Sequence, residues 1–431
     1  MKPVLFENVR LIDPASSLDR PGRLLVKDGV IAGTDLPQAE GAPEGADIVD
    51  GGGHLVLCPG LVDMRVTIGE PGYEYRETVL SAAKAAVAGG ITTIAVLPNT
   101  SPTIDNPALA RLLRARGEET GMIGILPYGA LTRECAGKEM AEIGLLAEAG
   151  AIAFTDGPHA IADSRTMRQM LTYARGFDAL IVQHPEDPSL ARGGCATDGE
   201  LATRLGLPGI PAAAEAILIA RDLRLARMTG GRLHFGHVST AEGLDLIRAA
   251  KADGVRVTCD TAPPYFDLNE TVIGDFRTYA KLSPPLRAEA DRRAVCAALA
   301  DGTIDAIASD HMPCDADDKR QPFAVASAGG TGLCTLLAVT LAQVHAGNLG
   351  MMDALGLLTH RPAGVLRSGA GTLAAGSAAD LCLFNPETGW VVRAGELPGK
   401  AQNTPFDGRA LEGRVLGTWK NGRRVFGTAA A

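Results

Sequence analysis

Four residues of this 431-residue chain, Asp156, His184, His237 and Asp310, have side chains that suit a divalent metal. Each closes a short apolar run: Ala151–Asp156, Ala179–His184, Arg232–His237 and Ile304–His311. Carboxylates and neutral imidazoles form a donor set suited to zinc, which lowers the pKa of a bound water toward neutrality. A lone histidine at a run's end is more often a core or capping residue. Four such donors in register along one rim point instead to a shared site. The other run ends supply Arg65 and Thr67, then Asn99, and His311 beside Asp310. His54, His159, His345 and His360 share no such register and read as surface or packing residues. The eight cysteines form no CxxC pair and read as small buried hydrophobes.

These run ends need elements to carry them. Eight β-branched apolar runs recur between Leu55 and His311, each leading into an Ala/Leu-rich stretch with helical spacing, such as Glu77–Ala88, Ala108–Arg116 and Ala241–Ala252. Eight strand–helix alternations predict an α/β fold, a (β/α)8 TIM-like barrel over residues 58–371, with chemistry at the C-terminal strand ends. A doubly wound sheet lacks its GxGxxG signature here. Residues 1–57 and 372–431 have a different grammar of short strands and turns. Lys27-Asp28-Gly29 and Lys420-Asn421-Gly422 are hairpin signals, and the two ends are expected to pair into a small β-sandwich. The tail Ala429–Ala431 is expected to fray.

Composition narrows the function. The chain has 41 Lys+Arg against 50 Asp+Glu, a net charge of −9, and only 4% aromatic residues, which argues against a nucleic-acid surface. No apolar run reaches the roughly 18–20 residues of a membrane span, and the opening MKPVLFENVR lacks a signal-peptide pattern. A cytoplasmic protein, with neither membrane nor nucleic acid as partner, is the expectation.

The stretches Pro59-Gly-Leu-Val-Asp-Met, Glu70-Pro-Gly-Tyr-Glu-Tyr-Arg-Glu-Thr, Pro98-Asn-Thr, Ala153-Phe-Thr-Asp, His184-Pro-Glu-Asp, His237-Val-Ser-Thr, Ser283-Pro-Pro-Leu-Arg and Ser309-Asp-His-Met-Pro resemble the dihydroorotase family of the amidohydrolase superfamily. The resemblance runs over essentially the whole chain. It implies a barrel with one or two zinc ions and reversible cyclisation of carbamoyl aspartate, a small anionic substrate, to dihydroorotate in pyrimidine synthesis. It also implies that Asp156, His184 and His237 hold one zinc, that Asp310 is metal ligand and proton shuttle, and that Asn99 touches substrate.

Several departures cut against that chemistry. Where the family has His-x-His after strand 1, this chain has Arg65-Val66-Thr67, so both histidine ligands of the first zinc are missing. The arginine that would grip the substrate carboxylate is Gly69, the asparagine before Pro-Pro-Leu-Arg is Ser283, and the second strand-8 histidine is Cys314. Losing a buried arginine–carboxylate pair typically costs about 2–5 kcal/mol of binding. At most one zinc is therefore expected. The reading favoured is a catalytically degenerate member, a pseudoenzyme acting as structural partner of aspartate transcarbamoylase. The alternatives are an active mononuclear-zinc dihydroorotase or related cyclic amidohydrolase, and a binding protein that has left the pathway. A homo-oligomer is expected.

Two local expectations follow. The segment Cys314–Gln321, with Asp315, Asp317 and Asp318, should be mobile or turned outward, since its charge would oppose a dicarboxylate. Arg65 should pair with Asp310, Asp156 or both, as a fixed cation where a zinc would otherwise sit.

Overall fold

The computed structural model describes residues 2–34 and 41–427; the tail Ala429–Ala431 lies outside the described residues. Eight parallel strands form one sheet in chain order: β1 (Leu61–Val66), β2 (Ile91–Val96), β3 (Gly124–Ala130), β4 (Ala153–Thr155), β5 (Leu180–Gln183), β6 (Arg232–Phe235), β7 (Val257–Thr261) and β8 (Ala306–Ile307). Past β8, His311 bridges back to Val66, and Thr67 N donates to His311 O at 2.8 Å, so the ring nearly closes. Strands covered on both faces must be apolar throughout, which is why β1 and β2 are buried at every position.

The helices include α1 (Val79–Ala88), α2 (Pro107–Thr120), α3 (Ile143–Glu148), α4 (Ser164–Arg175), α5 (Glu200–Leu205), α6 (Ala213–Thr229), α7 (Ala241–Ala252), α8 (Pro263–Asp267), α9 (Glu289–Ala300) and α10 (Ala316–Lys319). Local chemistry sets several of their starts. Thr78 and Ser81 form a reciprocal capping box on α1, Asn106 caps α2 with Pro107 in the first turn, and Asp163 and Thr240 cap α4 and α7.

The second sheet joins the chain ends. Strands Val4–Asp13, Leu18–Lys27, Val30–Gly33, Asp47–Asp50 and Val56–Pro59 come from the front; Leu381–Val391, Ala410–Lys420 and Arg423–Phe426 come from the back. Val56–Pro59 is the seam, parallel to Val4–Asp13 on one side and antiparallel to Leu381–Val391 on the other. Both hairpin turns have two residues at positive φ, Asp28 (51°) with Gly29 (82°) and Asn421 (49°) with Gly422 (75°), matching the twist of the flanking strands. Phe6 and Trp419 lie on strands separated by two others in the sheet order. Their rings nevertheless meet edge to face at 4.8 Å, so the sheet curls over a core of its own.

The sequence alone reads Leu55–Thr67 as one apolar run. The structure divides it, with Val56–Pro59 in the end sheet and Leu61–Val66 in the barrel. Gly60 makes the division possible: a Cβ there would stand 2.3 Å from Thr92 Oγ1.

Candidate functional site

Strand β1 points Arg65 into the barrel mouth, where the side chain is 2% exposed. Its backbone N donates to Asp63 Oδ1 (3.2 Å), its Nε donates to Asp310 Oδ1 (3.0 Å), and Nη2 lies 3.5 Å from Gly157 O. Nη1 has no protein partner. Asp310 sits just past β8 at φ 49°. Burial pushes its carboxyl up to about 6, and Arg65 is the main force opposing that rise.

Asp63 is a member of this site that the sequence reading missed. Fully buried in β1, it also accepts from Ser309 N at 3.0 Å and so ties β1 to β8; burial pushes its carboxyl up to about 6. It stands within the Pro59–Met64 stretch, but nothing in its spacing marks it as a cross-strand staple.

Asp156, at the end of β4, is engaged elsewhere. Its carboxylate accepts from Leu131 N (3.1 Å), Thr132 N (2.8 Å), Gly137 N (3.2 Å) and the Thr132 hydroxyl. All four donors belong to the loop after β3. Arg65 therefore pairs with Asp310 and not with Asp156.

His184 and His237 do come together. His184 Nδ1 and His237 Nε2 are 2.7 Å apart, and His237 Nδ1 lies 3.6 Å from Asp310 Oδ1 without a hydrogen bond. Burial, reinforced by the Arg65 charge, drives His237 well below the usual imidazole range, so its ring is neutral. On the other side of His184, Nε2 faces Ser283 Oγ at 3.4 Å and Glu186 Oε1 at 3.7 Å.

His237 occupies a φ of 44°, which the surrounding loop must enforce. Its N donates to Asp260 Oδ1 at 2.5 Å, and the other Asp260 oxygen lies 3.0 Å from His234 Nε2. Farther along, Glu215 of α6 accepts from the N and hydroxyl of both Ser239 and Thr240 at 2.5–3.2 Å. Arg287 Nε donates to Ser239 Oγ at 3.0 Å, with Nη2 3.7 Å from Glu215. Glu215 and Asp260 were not singled out from the sequence. Their chain neighbours look like ordinary helix and strand, so only the folded loop reveals their part.

The remaining candidates lie apart from this cluster. Thr67 Oγ1 and Asn99 Oδ1 have no protein partner, with Asn99 beside Gly157. Gly69 cannot carry a side chain as folded: a Cβ would sit 2.1 Å from Tyr73 O and 2.7 Å from Glu77 O, and Tyr73 N donates to Gly69 O at 2.5 Å. The loop closes over the space a larger residue would fill. Cys314 turns its thiol toward Met312 O and Ala328 O. His311 faces Glu77 at 3.6 Å and accepts from Gly332 N. A cavity beside Asp310 and Ser309 measures about 10 Å³, room for one water.

The acidic segment after β8 forms a short helix with Asp317 turned outward, one of the two alternatives expected for it. Residues Ala316–Lys319 form α10, Asp317 is exposed, and Asp318 faces Arg76 at 3.4 Å. Lys319 is buried beneath, donating to Thr278 O, Lys281 O and Ser327 O at 2.7–3.3 Å.

Known proteins place this site in a family. A profile described as "Dihydro-orotase-like" matches residues 53–243. A dihydroorotase of Pelobacter propionicus is 44% identical, covering 98% of this chain and 99% of its own. The chain belongs to the dihydroorotase family. A dihydroorotase of Anaplasma phagocytophilum is 40% identical over 98% of this chain and 95% of its own. Among solved structures, an L-hydantoinase (dihydropyrimidinase) from Arthrobacter aurescens superposes with a TM-score of 0.88 at 25% identity, covering 99% of this chain and 96% of that one.

Dihydroorotases are generally zinc-dependent, and the donors present here fit a zinc poorly. Among the described residues, no group of three or more His, Cys, Asp or Glu side chains is arranged to hold a metal ion. Of the set expected to act together, His184, His237 and Asp310 lie side by side, while Asp156 is engaged by the loop after β3. The two imidazoles face each other, Asp156 is taken by the loop after β3, and Asp310 is taken by Arg65. The physical reason is competition: a buried carboxylate takes the nearest strong donors, and here these are backbone amides, a hydroxyl and a guanidinium.

Proposed function

We propose that this chain is a catalytically degenerate, dihydroorotase-like protein of pyrimidine biosynthesis that serves as a structural partner of aspartate transcarbamoylase. The observation that carries the reading is the Arg65–Asp310 pair. Hydrolysing a cyclic amide requires a carboxylate free to move a proton between water and the leaving nitrogen. Here that carboxylate is held by a permanently charged guanidinium at 3.0 Å. Gly69 adds to this, because no carboxylate-gripping side chain can stand where its loop closes.

An active mononuclear-zinc enzyme is the second reading. The ring nitrogens of His184 and His237, facing each other at 2.7 Å, favour it. It would require Asp156 to release Thr132 and turn toward them.

The test is elemental analysis for zinc on the purified chain, together with a carbamoyl aspartate/dihydroorotate assay in both directions. The proposal expects no turnover above background and a stable complex with aspartate transcarbamoylase. Bound zinc with turnover would overturn it. Arg65→His alone is expected to leave the chain inactive, because Thr67 and Gly69 remain.

A further inference from the structure

Past β8 the chain leaves the barrel rim at Cys314 and comes back to it at Gly329, and one buried side chain gathers the two ends. Asn403 Oδ1 accepts from Cys314 N at 3.1 Å, while its Nδ2 donates to Met312 O at 3.1 Å and Gly329 O at 3.0 Å. A loop whose ends meet and whose interior is filled by its own side chains is an Ω-loop, a form that often carries function. Here the filling is Lys319 and Phe323, 4% and 3% exposed, whereas Asp317, Arg320, Gln321 and Val325 face outward.

The polar ties from the loop body to the rest of the chain centre on Lys319. Its Nζ donates to Ser327 O (2.7 Å) within the loop, and to Thr278 O (3.1 Å) and Lys281 O (3.3 Å) beyond it. Thr278 Oγ1 donates back to Lys319 O at 2.5 Å, and Lys281 Nζ donates to Ala324 O at 2.9 Å. Asp318 adds a half-exposed pair with Arg76 of the loop after β1. Three carbonyls around one buried nitrogen make a cage for a cation, and charge-assisted hydrogen bonds are the strong ones. Burial draws the amine down to about 8, so at pH 7 it is an ammonium. A cavity of about 350 Å³, lined in part by Arg76, Tyr279 and Lys319, runs beside this joint. The segment that the cage grips, residues 278–282, leads straight into Ser283, whose Oγ lies 3.4 Å from His184 Nε2.

We propose that residues 315–328 form a lid on the β8 side of the barrel mouth, hinged at the neck that Asn403 gathers and latched by the Lys319 ammonium. With the latch closed, the lid holds residues 278–282 down and keeps Ser283 beside His184. Released, it frees that segment and opens the His184 side of the mouth to solvent. The inference does not depend on whether the chain turns a substrate over.

The test follows backbone hydrogen exchange of the full chain at pH 7, resolved by peptide. Lys319→Ala is expected to speed exchange at least about tenfold in both 315–328 and 278–282, with the barrel strands unchanged. Propylammonium supplies the carbons and the ammonium that the substitution removes, and is expected to restore protection. Tetramethylammonium, which has no N–H to donate, is expected to leave exchange fast. Unchanged exchange in 315–328 would overturn the latch. Faster exchange there without any in 278–282 would overturn the lid's hold on the Ser283 segment. Equal acceleration across the barrel strands would make Lys319 a support of the whole fold and overturn the lid. Failure of propylammonium to restore protection would overturn the ammonium as the closing group.

Discussion

The barrel mouth has two halves that are held in different ways. On the β1–β8 side, Arg65 pairs with Asp310, and the loop after β1 folds back so that Tyr73 O lies where a Cβ on Gly69 would stand. On the β5–β6 side, His184 and His237 still face each other, and a scaffold of Asp260, Glu215 and Arg287 holds the loop that presents them. The lesson is that the two halves are held by different interactions, although they meet where His237 Nδ1 lies 3.6 Å from Asp310 Oδ1. The first rests on one buried ion pair and a tight turn, the second on a hydrogen-bond network centred on Glu215 and Asp260.

The largest effect should come from the second half. Glu215→Ala would strand the amides and hydroxyls of Ser239 and Thr240 and leave Arg287 without its carboxylate. A loss of about 4–5 kcal/mol in urea unfolding is expected. A loss under about 1 kcal/mol would mean this network is not what holds the loop.

Arg65→Met tests the first half. It leaves Asp310 buried without a cation, at an expected cost of about 3 kcal/mol. Adding Asp310→Asn should recover a substantial part of that loss, because the uncompensated charge is gone. Strictly additive costs would show that the pair is not coupled.

Gly69→Ala comes next. Its methyl would meet the Tyr73 carbonyl at 2.1 Å, so the loop must move, at an expected cost of about 2 kcal/mol. Neutral behaviour would show the closure is loose enough to admit a side chain.

Acidity separates the halves as well. With its carboxyl raised to about 6, native Asp310 keeps a proton that an ordinary aspartate near 3.8 has lost. Its contribution is therefore fully present below about pH 4 and is lost as pH rises through about 6. Unfolding of Asp310→Asn should show a smaller decline between pH 4 and 6 than the unaltered chain. Parallel curves would rule out that assignment. The smallest effect is expected for Phe177→Ser, outside both halves, which should change stability by no more than about 0.5 kcal/mol.

Much of the architecture was legible because it is written in local patterns. The eight apolar runs became eight barrel strands, Ala241–Ala252 is a helix at those same limits, and both Lys-Asx-Gly turns close hairpins. The curl of the end sheet was less accessible, since Phe6 and Trp419 are more than 400 residues apart in sequence. Placing Asp156 with the histidines rested on its strand end and on the family resemblance. It could not weigh Thr132 and its neighbouring amides, which arrive from a different strand and take the carboxylate first.

The sequence by itself determined the periodicities, the turns and which residue types stand at the strand ends, because each depends on neighbours within a few positions. Tertiary structure alone decided which donor each of those residues meets. A buried carboxylate takes the partners that closure of the barrel brings within 3 Å, and those partners come from anywhere in the chain: Arg65 to Asp310 across 245 residues, Ser309 to Asp63 across 246.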